Sequence, residues 1–383
     1  VSIEAFPRGR AAIVGGATFG IGEADGYGSL ELAAAAGLLA LKDAGLALSD
    51  VDGLFVCLPD DMLSGLSLAE YYGLRPRITE NNRTGGSAFM THVIWAALAL
   101  EARLCDVALI AYGAVSRTGD SFVPPPGSTR YETPYGVTLA AAYALATRRH
   151  MYEFGTTSEQ LAAVAVSARA WAKHNPQAFK RDDLTIEDCL ATRVVASPLR
   201  VADCCLVTDG AAAIVMVRSD RARDLVPRPA YVLGGAAATT HRYIGAMPDL
   251  VRTAAVDSGA RAFAQAKVKP ADVNAAQLYD AFTINPILFL EDLGFCAKGE
   301  GGPFVAAGSI APGGRLPVNT NGGGLSCVHP GMYGLFALEE AYRQISRTAR
   351  GLQIAGANVV LAHGNGGVLS SQATVILGSA DTL

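Results

Sequence analysis

The sequence has 383 residues, a formal net charge of −4 and a composition that is half hydrophobic. A chain of that size can bury a large core as two domains or two halves. It carries no basic block, which argues against a nucleic-acid partner, and no apolar run long enough to insert in a membrane. The seven cysteines are scattered without a CxxC pair, which predicts a reducing compartment and no structural zinc site. The first residues, VSIEAFPRGRAAIVGG, have no signal-peptide layout, so the expectation is a cytoplasmic protein.

In chain order, AAIVGG (11–16) is a short apolar run closing on glycines and predicts a buried strand. Ser29 reads as the N-cap of a helix through LELAAAAGLLALKDAGL. VDGLFVC (51–57) is the next strand, NRTGGS (82–87) a turn leading into the helix AFMTHVIWAALALEARL, and DVALIAYG (106–113) another strand. The predicted loop GGATFGIG (15–22) has a GxxxGxG spacing similar to a dinucleotide fingerprint. Three features count against that function. The helix begins too late to aim its N-terminus at a pyrophosphate held by those glycines. No acidic residue ends a following strand at the required place. Tyr143 is followed by Ala-Leu-Ala-Thr and so lacks a Tyr-xxx-Lys partner.

From 114 to about 200 the texture changes. SFVPPPGSTRYETPYG predicts a long proline-rich loop, and helices then open at Thr157, with Gln160 completing a capping box, and at Thr185. This segment reads as an inserted loop domain, after which AAAIVMV (211–217) returns to the core.

The second half repeats the first. YVLGG (231–235) echoes IVGG, a helix spans about 251–266, and PADVNAAQLYDAF matches LSDVDGLFVC. NVVLAHG (358–364) matches DVALIAYG, and QATVILG (372–378) matches AAAIVMV. The offset grows late in the chain, with 299–315 the candidate for extra residues. Each copy reads β-α-β-α-β-β, which gives an α/β protein of two halves, 1–225 and 226–383. The repeat makes NTNGGGLSCVHPGMYG (319–334) the counterpart of NRTGGS. Its glycines predict a tight turn running straight into a helix, with Pro330 at the first helical position and 337–347 as the helix body. His329 and Tyr333, four residues apart, would then share one face at the positive end of that helix.

Motifs along the whole chain resemble the thiolase superfamily, specifically its sterol-carrier/lipid-transfer thiolase-like branch. They are HMYEFGTTSEQLAAVAV, NPQAF, SPLRVADCCLVTDGAAA, YDAFTI, LEDLGFCAKGEGG, LPVNTNGGGLSCVHPG and HGNGGVLS. The resemblance implies a thiolase fold, with duplicated halves in a five-layered αβαβα sandwich, an inserted loop domain, a homodimer, and acyl-CoA thioesters as ligands. It also exposes a departure. Aligning the first glycine turn on Gly85-Gly86-Ser87-Ala88 puts Asn82 where a thiolase carries its nucleophilic cysteine, and an amide cannot be acylated as a thiolate can. Cys327 and Ser87 are the possible substitutes, although Cys327 reads as packing and Ser87 as a helix N-cap.

His329-Pro330 matches the family's histidine motif, Tyr279 of YDAF falls where thiolases place an oxyanion-site residue, and His363 aligns approximately with a second catalytic position. A chain without the cysteine but with tyrosines in YDAF and HPGMYG resembles the thiolase-like retro-aldolases of steroid side-chain degradation. That resemblance implies cleavage of a β-hydroxyacyl-CoA to acetyl- or propionyl-CoA and a carbonyl compound, often with a small OB-fold/zinc-binding partner protein. No intrinsic cofactor is implied, coenzyme A being part of the substrate. The expected catalytic residues are Tyr279, Tyr333, His329 and His363, and the expected substrate-binding residues are Asn82, Ser87, Gly366 and Gly367. The tyrosines would handle the hydroxyl proton and developing carbonyl, their pKa lowered by the helix terminus. His329 and amides near Gly366 would hold the thioester oxygen. Arg218, Arg221 or Arg223 are the candidates for coenzyme A contacts. A Schiff-base lysine fits poorly because the lysines fall on polar segments, and metal chemistry because the histidines are dispersed. An acyltransferase with an unconventional nucleophile and a non-catalytic acyl-CoA or lipid binder are the alternatives.

Overall fold

The computed structural model describes residues 6–119 and 138–383. The proline-rich stretch expected within 121–136 lies outside the described residues. The first half runs β1 (Ala11–Gly22), α1 (Ser29–Asp43), β2 (Gly53–Val56), α2 (Ser64–Tyr72), β3 (Ile78–Glu80), α3 (Ala88–Glu101), β4 (Val107–Val115) and, after an insertion, β7 (Asp209–Arg218) and α7 (Ser219–Leu225). The insertion holds α4 (Leu139–Phe154), α5 (Ser158–Ala172), α6 (Ile186–Ala191) and a small hairpin, β5 (Val194–Ala196) with β6 (Leu199–Arg200). The second half runs β8 (Ala230–Thr239), α8 (Ala255–Ala266), β9 (Ala275–Leu278), α9 (Ile284–Asp292), α10 (Gly301–Ala306), α11 (Gly334–Ser346), β10 (Val359–Gly366) and β11 (Ser371–Gly378).

The duplication is visible in the sheet order, β3-β2-β4-β7-β1 followed by β8-β11-β10-β9. In the first half β2 runs parallel to both β3 and β4, in the second β9 runs parallel to β10, and the other pairings are antiparallel. The halves join through a short antiparallel contact, Ala12 opposite Tyr231 and Ile13 opposite Ala230. Helix α1 packs on β1, β4 and β7, and α8 on β8 and β11, while α3 and α11 touch strands of both halves and each other. The result is the αβαβα layering expected, with α3 and α11 as the middle layer. Strands such as β4 and β7 are covered on both faces, which is why they read as unbroken apolar runs. The extra residues of the second half carry α10, which packs on α5 of the insertion.

Two local expectations change. The stretch 15–22 is no loop but the continuation of β1, paired with β7 as far as Gly22 opposite Asp209, so it presents no phosphate-binding turn. Gly28, not Ser29, is the N-cap of α1: its N–H donates to Glu31 Oε2 at 3.0 Å, while the Ser29 hydroxyl donates to Asp60. The capping box at Thr157 with Gln160 forms as read from the sequence, and the helix expected to open at Thr185 does so with a second capping box, to Asp188. Among the described residues no helix is long and apolar enough to cross a membrane.

The middle layer buries an acidic side chain with a cost that depends on pH. Glu340 of α11 accepts hydrogen bonds from the Thr320 hydroxyl and from Gln344 Nε2, and burial pushes its pKa up to about 7. A carboxyl whose folded pKa lies above its ordinary value destabilises the fold once ionised. Its effect therefore grows as pH rises from the ordinary range near about 4.3 through the folded value. Glu340→Gln keeps the acceptor oxygen and removes the charge. Thermal denaturation should show the variant gaining on the parent chain between about pH 5 and about pH 8. Parallel melting curves across that range would show that Glu340 does not ionise in the fold.

Candidate active site

The site forms where the ends of β9 and β10 meet the approaches to α3 and α11. Close backbone contact requires glycine here. A Cβ at Gly334 would lie 2.0 Å from the Gly86 carbonyl oxygen, and one at Gly366 would lie 1.7 Å from the Thr84 carbonyl oxygen. The two glycine lead-ins, counterparts in the repeat, and the end of β10 are thus brought to one point. Above Gly86 lies the Tyr279 ring: a Cβ on Gly86 would come within 1.9 Å of its Cε2.

Three rings meet at this point. Tyr279 lies edge-on to His329 (centroids 5.6 Å apart, 85° between planes) and to Tyr333 (6.0 Å, 74°). Tyr333 stacks on Phe336 of α11 and donates its hydroxyl proton to Asn321 Oδ1 at 2.8 Å. The His329 backbone N–H donates to Thr208 Oγ1 at 3.0 Å, and the Tyr112 hydroxyl of β4 holds the Pro330 carbonyl. All three rings are buried, and His329 Nε2 has no protein partner among the described residues. An unpaired nitrogen in such a place is costly unless a ligand group meets it.

The geometry of the second lead-in differs from expectation. It forms one π-helical turn, Gly323–Cys327, then an extended Val328, and α11 starts only at Gly334. Pro330 disfavours helical backbone at His329 before it, and Gly331 takes a left-handed conformation after it (φ 80°). His329 and Tyr333 therefore share a loop rather than a helix turn, with Tyr333 at the N-cap position. Asp280 fastens this loop to β9: its carboxylate accepts from Gly324 N (2.6 Å) and Leu325 N (3.3 Å), and burial lifts its pKa to about 7. Asp280 and Asn321 went unread in the sequence, although the Asp of YDAF and the second Asn of NTN stood beside the chosen residues.

Burial also reverses the expected tyrosine titration. Desolvation pushes Tyr279 and Tyr333 well above the ordinary phenol value, with Cys205 adding to it at Tyr279 and Asp280 at Tyr333. Both are neutral phenols at physiological pH. Desolvation pushes His329 down to about 4, opposed only by its own backbone carbonyl, so the imidazole is neutral too. All seven cysteines are shifted up by burial: Cys57, Cys189 and Cys204 to about 11, Cys105 and Cys296 to about 12, Cys205 and Cys327 further still. None offers a thiolate at neutral pH. Cys327 is packed behind the loop, its sulfur accepting from Asn175 Nδ2 at 3.6 Å.

Other expected residues are placed differently. His363 lies on β10 with both ring nitrogens engaged, by Thr374 Oγ1 and Gln372 Oε1 at 2.9 Å each, and with its ring against Phe289, so it cannot act on a ligand as expected. Asn82 is tied into its own turn, donating to Thr91 Oγ1 at 2.6 Å and accepting from Thr84 N at 3.2 Å. Ser87 precedes α3 without capping it; its hydroxyl meets Ser371 Oγ (3.0 Å) and Thr84. Gly366 and Gly367 do border the cluster, in the β10–β11 turn against Gly85. Arg218, Arg221 and Arg223 lie at or beyond the other end of β7 from Thr208, roughly 30 Å of strand away. Arg218 is paired there with Asp106.

The contact between Gly86 and Tyr279 is directly testable. Gly86→Ala should leave a folded protein by circular dichroism yet reduce turnover by about 100-fold, because the ring must move by more than an ångström. Unchanged turnover would mean that the Tyr279 ring position is immaterial.

Residues 236–379 match the family described as thiolase C-terminal domain-like. The chain is 37% identical to the 17-hydroxy-3-oxo-4-pregnene-20-carboxyl-CoA lyase of Mycobacterium tuberculosis, over 95% of this chain and 98% of that protein. It is 34% identical to an acetyl-CoA acetyltransferase of Methanothermobacter thermautotrophicus, over 93% and 96% respectively. Among solved structures it superposes on the Ltp2-ChsH2(DUF35) aldolase with a TM-score of 0.89 and 34% identity, covering 97% of this chain and 98% of that one. With the duplicated βαβαββ halves and the paired glycine lead-ins, these likenesses establish that the chain belongs to the thiolase superfamily, in its sterol-carrier/lipid-transfer thiolase-like branch.

Proposed function

We propose that the chain is a retro-aldolase that cleaves a β-hydroxyacyl-CoA, a steroid or similar side-chain thioester, to acetyl- or propionyl-CoA and a ketone or aldehyde. The observation that carries this reading is the buried Tyr279–His329–Tyr333 cluster with an unpaired His329 Nε2, in a fold where every cysteine is held as a thiol. The lyase and aldolase names of the relatives support it. The acetyltransferase relative favours acyl transfer as a second reading, which would need a nucleophile that none of the cysteines supplies.

In the reaction, the O–H bond of the β-hydroxyl and the Cα–Cβ bond break while a C=O bond forms. The electron pair of the broken carbon–carbon bond passes to the thioester enolate, and the hydroxyl proton returns to Cα. The His329 imidazole is neutral and its Nε2 has no protein partner among the described residues, so in the Nδ1–H tautomer Nε2 presents a lone pair. That suits it to receive the hydroxyl proton, rather than to hold the thioester oxygen as the sequence suggested. Tyr279 and Tyr333, kept neutral, orient the hydroxyl and the forming carbonyl, and the proton taken up by His329 returns to Cα of the enolate, which restores the neutral imidazole. Amides of the Gly366–Gly367 turn hold the thioester oxygen as charge develops.

The reading includes a homodimer and a small OB-fold/zinc-binding partner in a cytoplasmic setting. The short edge strand β3 and the exposed side chains of Met62, Leu63, Leu66 and Trp95 support a dimer face. The solved ChsH2(DUF35) aldolase supports the partner, and seven free cysteines suit a reducing compartment. Tyr279→Phe and Tyr333→Phe should each lower kcat/KM for a β-hydroxyacyl-CoA by about 10²- to 10⁴-fold with little change in melting temperature. Full activity in both variants would remove the tyrosines from the mechanism.

A further inference from the structure

Tyr143 hangs from α4 of the insertion, buried and stacked on Phe282, the last residue of YDAF (centroids 4.4 Å apart). Its hydroxyl meets the Gly367 carbonyl oxygen at 3.2 Å and Asn365 Nδ2 at 2.8 Å. Behind Asn365 runs a line of buried polar groups: Gln372 Nε2 to Asn365 Oδ1 (2.8 Å), Gln372 Oε1 to His363 Nε2 (2.9 Å), His363 Nδ1 to Thr374 Oγ1 (2.9 Å), and Thr374 Oγ1 to Ser258 Oγ of α8 (3.0 Å).

One end of this line can only accept. A carbonyl takes a proton from Tyr143, so the tyrosine oxygen must accept from the Asn365 amide nitrogen. Asn365 Oδ1 then accepts from Gln372, whose own carbonyl accepts from His363 Nε2–H. His363 Nδ1, left without a proton, accepts from Thr374. Six hydrogen bonds thus point one way, from Ser258 to Gly367, and a single tautomer of His363 is compatible with them.

The receiving end is the turn that faces the site. The Gly366 carbonyl accepts from Ser370 N at 3.1 Å and the Gly367 carbonyl from Tyr143, so both peptide planes of the turn are held. Gly85 lies against it, a Cβ there coming within 3.1 Å of Gly367 N. We infer that Tyr143 is a positioning residue, and that the hydrogen-bonded line running through His363 orients its hydroxyl to fix the Gly366–Gly367 amides on the thioester oxygen. The inference rests on the proposed aldolase reaction. It gives His363 a role at a distance in place of the direct one expected, and it makes the insertion part of the catalytic apparatus.

Steady-state cleavage of a β-hydroxyacyl-CoA by Tyr143→Phe, His363→Leu, His363→Gln and the Tyr143→Phe/His363→Leu double variant tests it. Tyr143→Phe and His363→Leu should each lower kcat about tenfold with KM nearly unchanged. His363→Gln, which can still donate to Gln372, should recover most of the loss. The double variant should be no worse than either single one, because the groups act in series. Multiplying losses, a change confined to KM, or equal losses in the Leu and Gln variants would overturn the inference. A parent chain that cleaves no such thioester would overturn the aldolase reading and the inference with it, whereas an active parent and an unimpaired Tyr143→Phe would overturn the inference alone. Nitrogen-15 spectra of histidine-labelled protein give a check independent of activity: His363 should be a neutral imidazole protonated at Nε2, and protonation at Nδ1 would contradict the line.

Discussion

The Gly86 carbonyl has no room for a side chain on Gly334, and Thr84 has none for one on Gly366. That backbone-on-backbone contact is what turns two duplicated halves into one site. Each half alone supplies a strand end and a helix approach. Only because α3 and α11 lie side by side in the middle layer do the approaches close on a shared point. Tyr279, at the end of β9, rests on the first approach, while His329 and Tyr333 belong to the second. The chemistry is therefore interfacial between halves, and glycine is needed for steric reasons before any role in binding.

The same closeness sets the protonation of the site. Because burial penalises charge, phenols, thiols and the imidazole all keep their neutral forms. Such a set is poorly suited to a resting thiolate and well suited to a reaction whose charge exists only transiently, between hydroxyl deprotonation and enolate protonation. Asp280 is pushed the same way, to about 7, but two backbone N–H groups oppose the shift, and its task is to fasten the loop carrying His329.

Much of the fold was legible because the repeat was. Matching YVLGG to IVGG and NVVLAHG to DVALIAYG depends on buried strands that tolerate only small or branched apolar residues, and the sheet order follows that pairing. Tyr279, His329 and Tyr333 were legible as residues, but not their states or backbone. The π turn is dictated by Asp280 from another strand, and the raised phenol values by burial, neither of which spacing records. His363 was misread for a reason of register. Side chains alternate across a strand, so Gly364 and Gly366 face the site while His363 turns to the opposite face, against Phe289. Tyr143 was noticed only for lacking a lysine, since its partners lie more than 200 residues away.

The central claim is that carbon–carbon cleavage occurs here without a covalent acyl-enzyme. Mass spectrometry of the protein and of its products, after incubation with β-hydroxyacyl-CoA thioesters and the small partner protein, tests that most directly. Equimolar acetyl- or propionyl-CoA and carbonyl product, with the protein mass unchanged, is the expected result. An acylated protein, or acyl transfer to free coenzyme A without a carbonyl product, would contradict it.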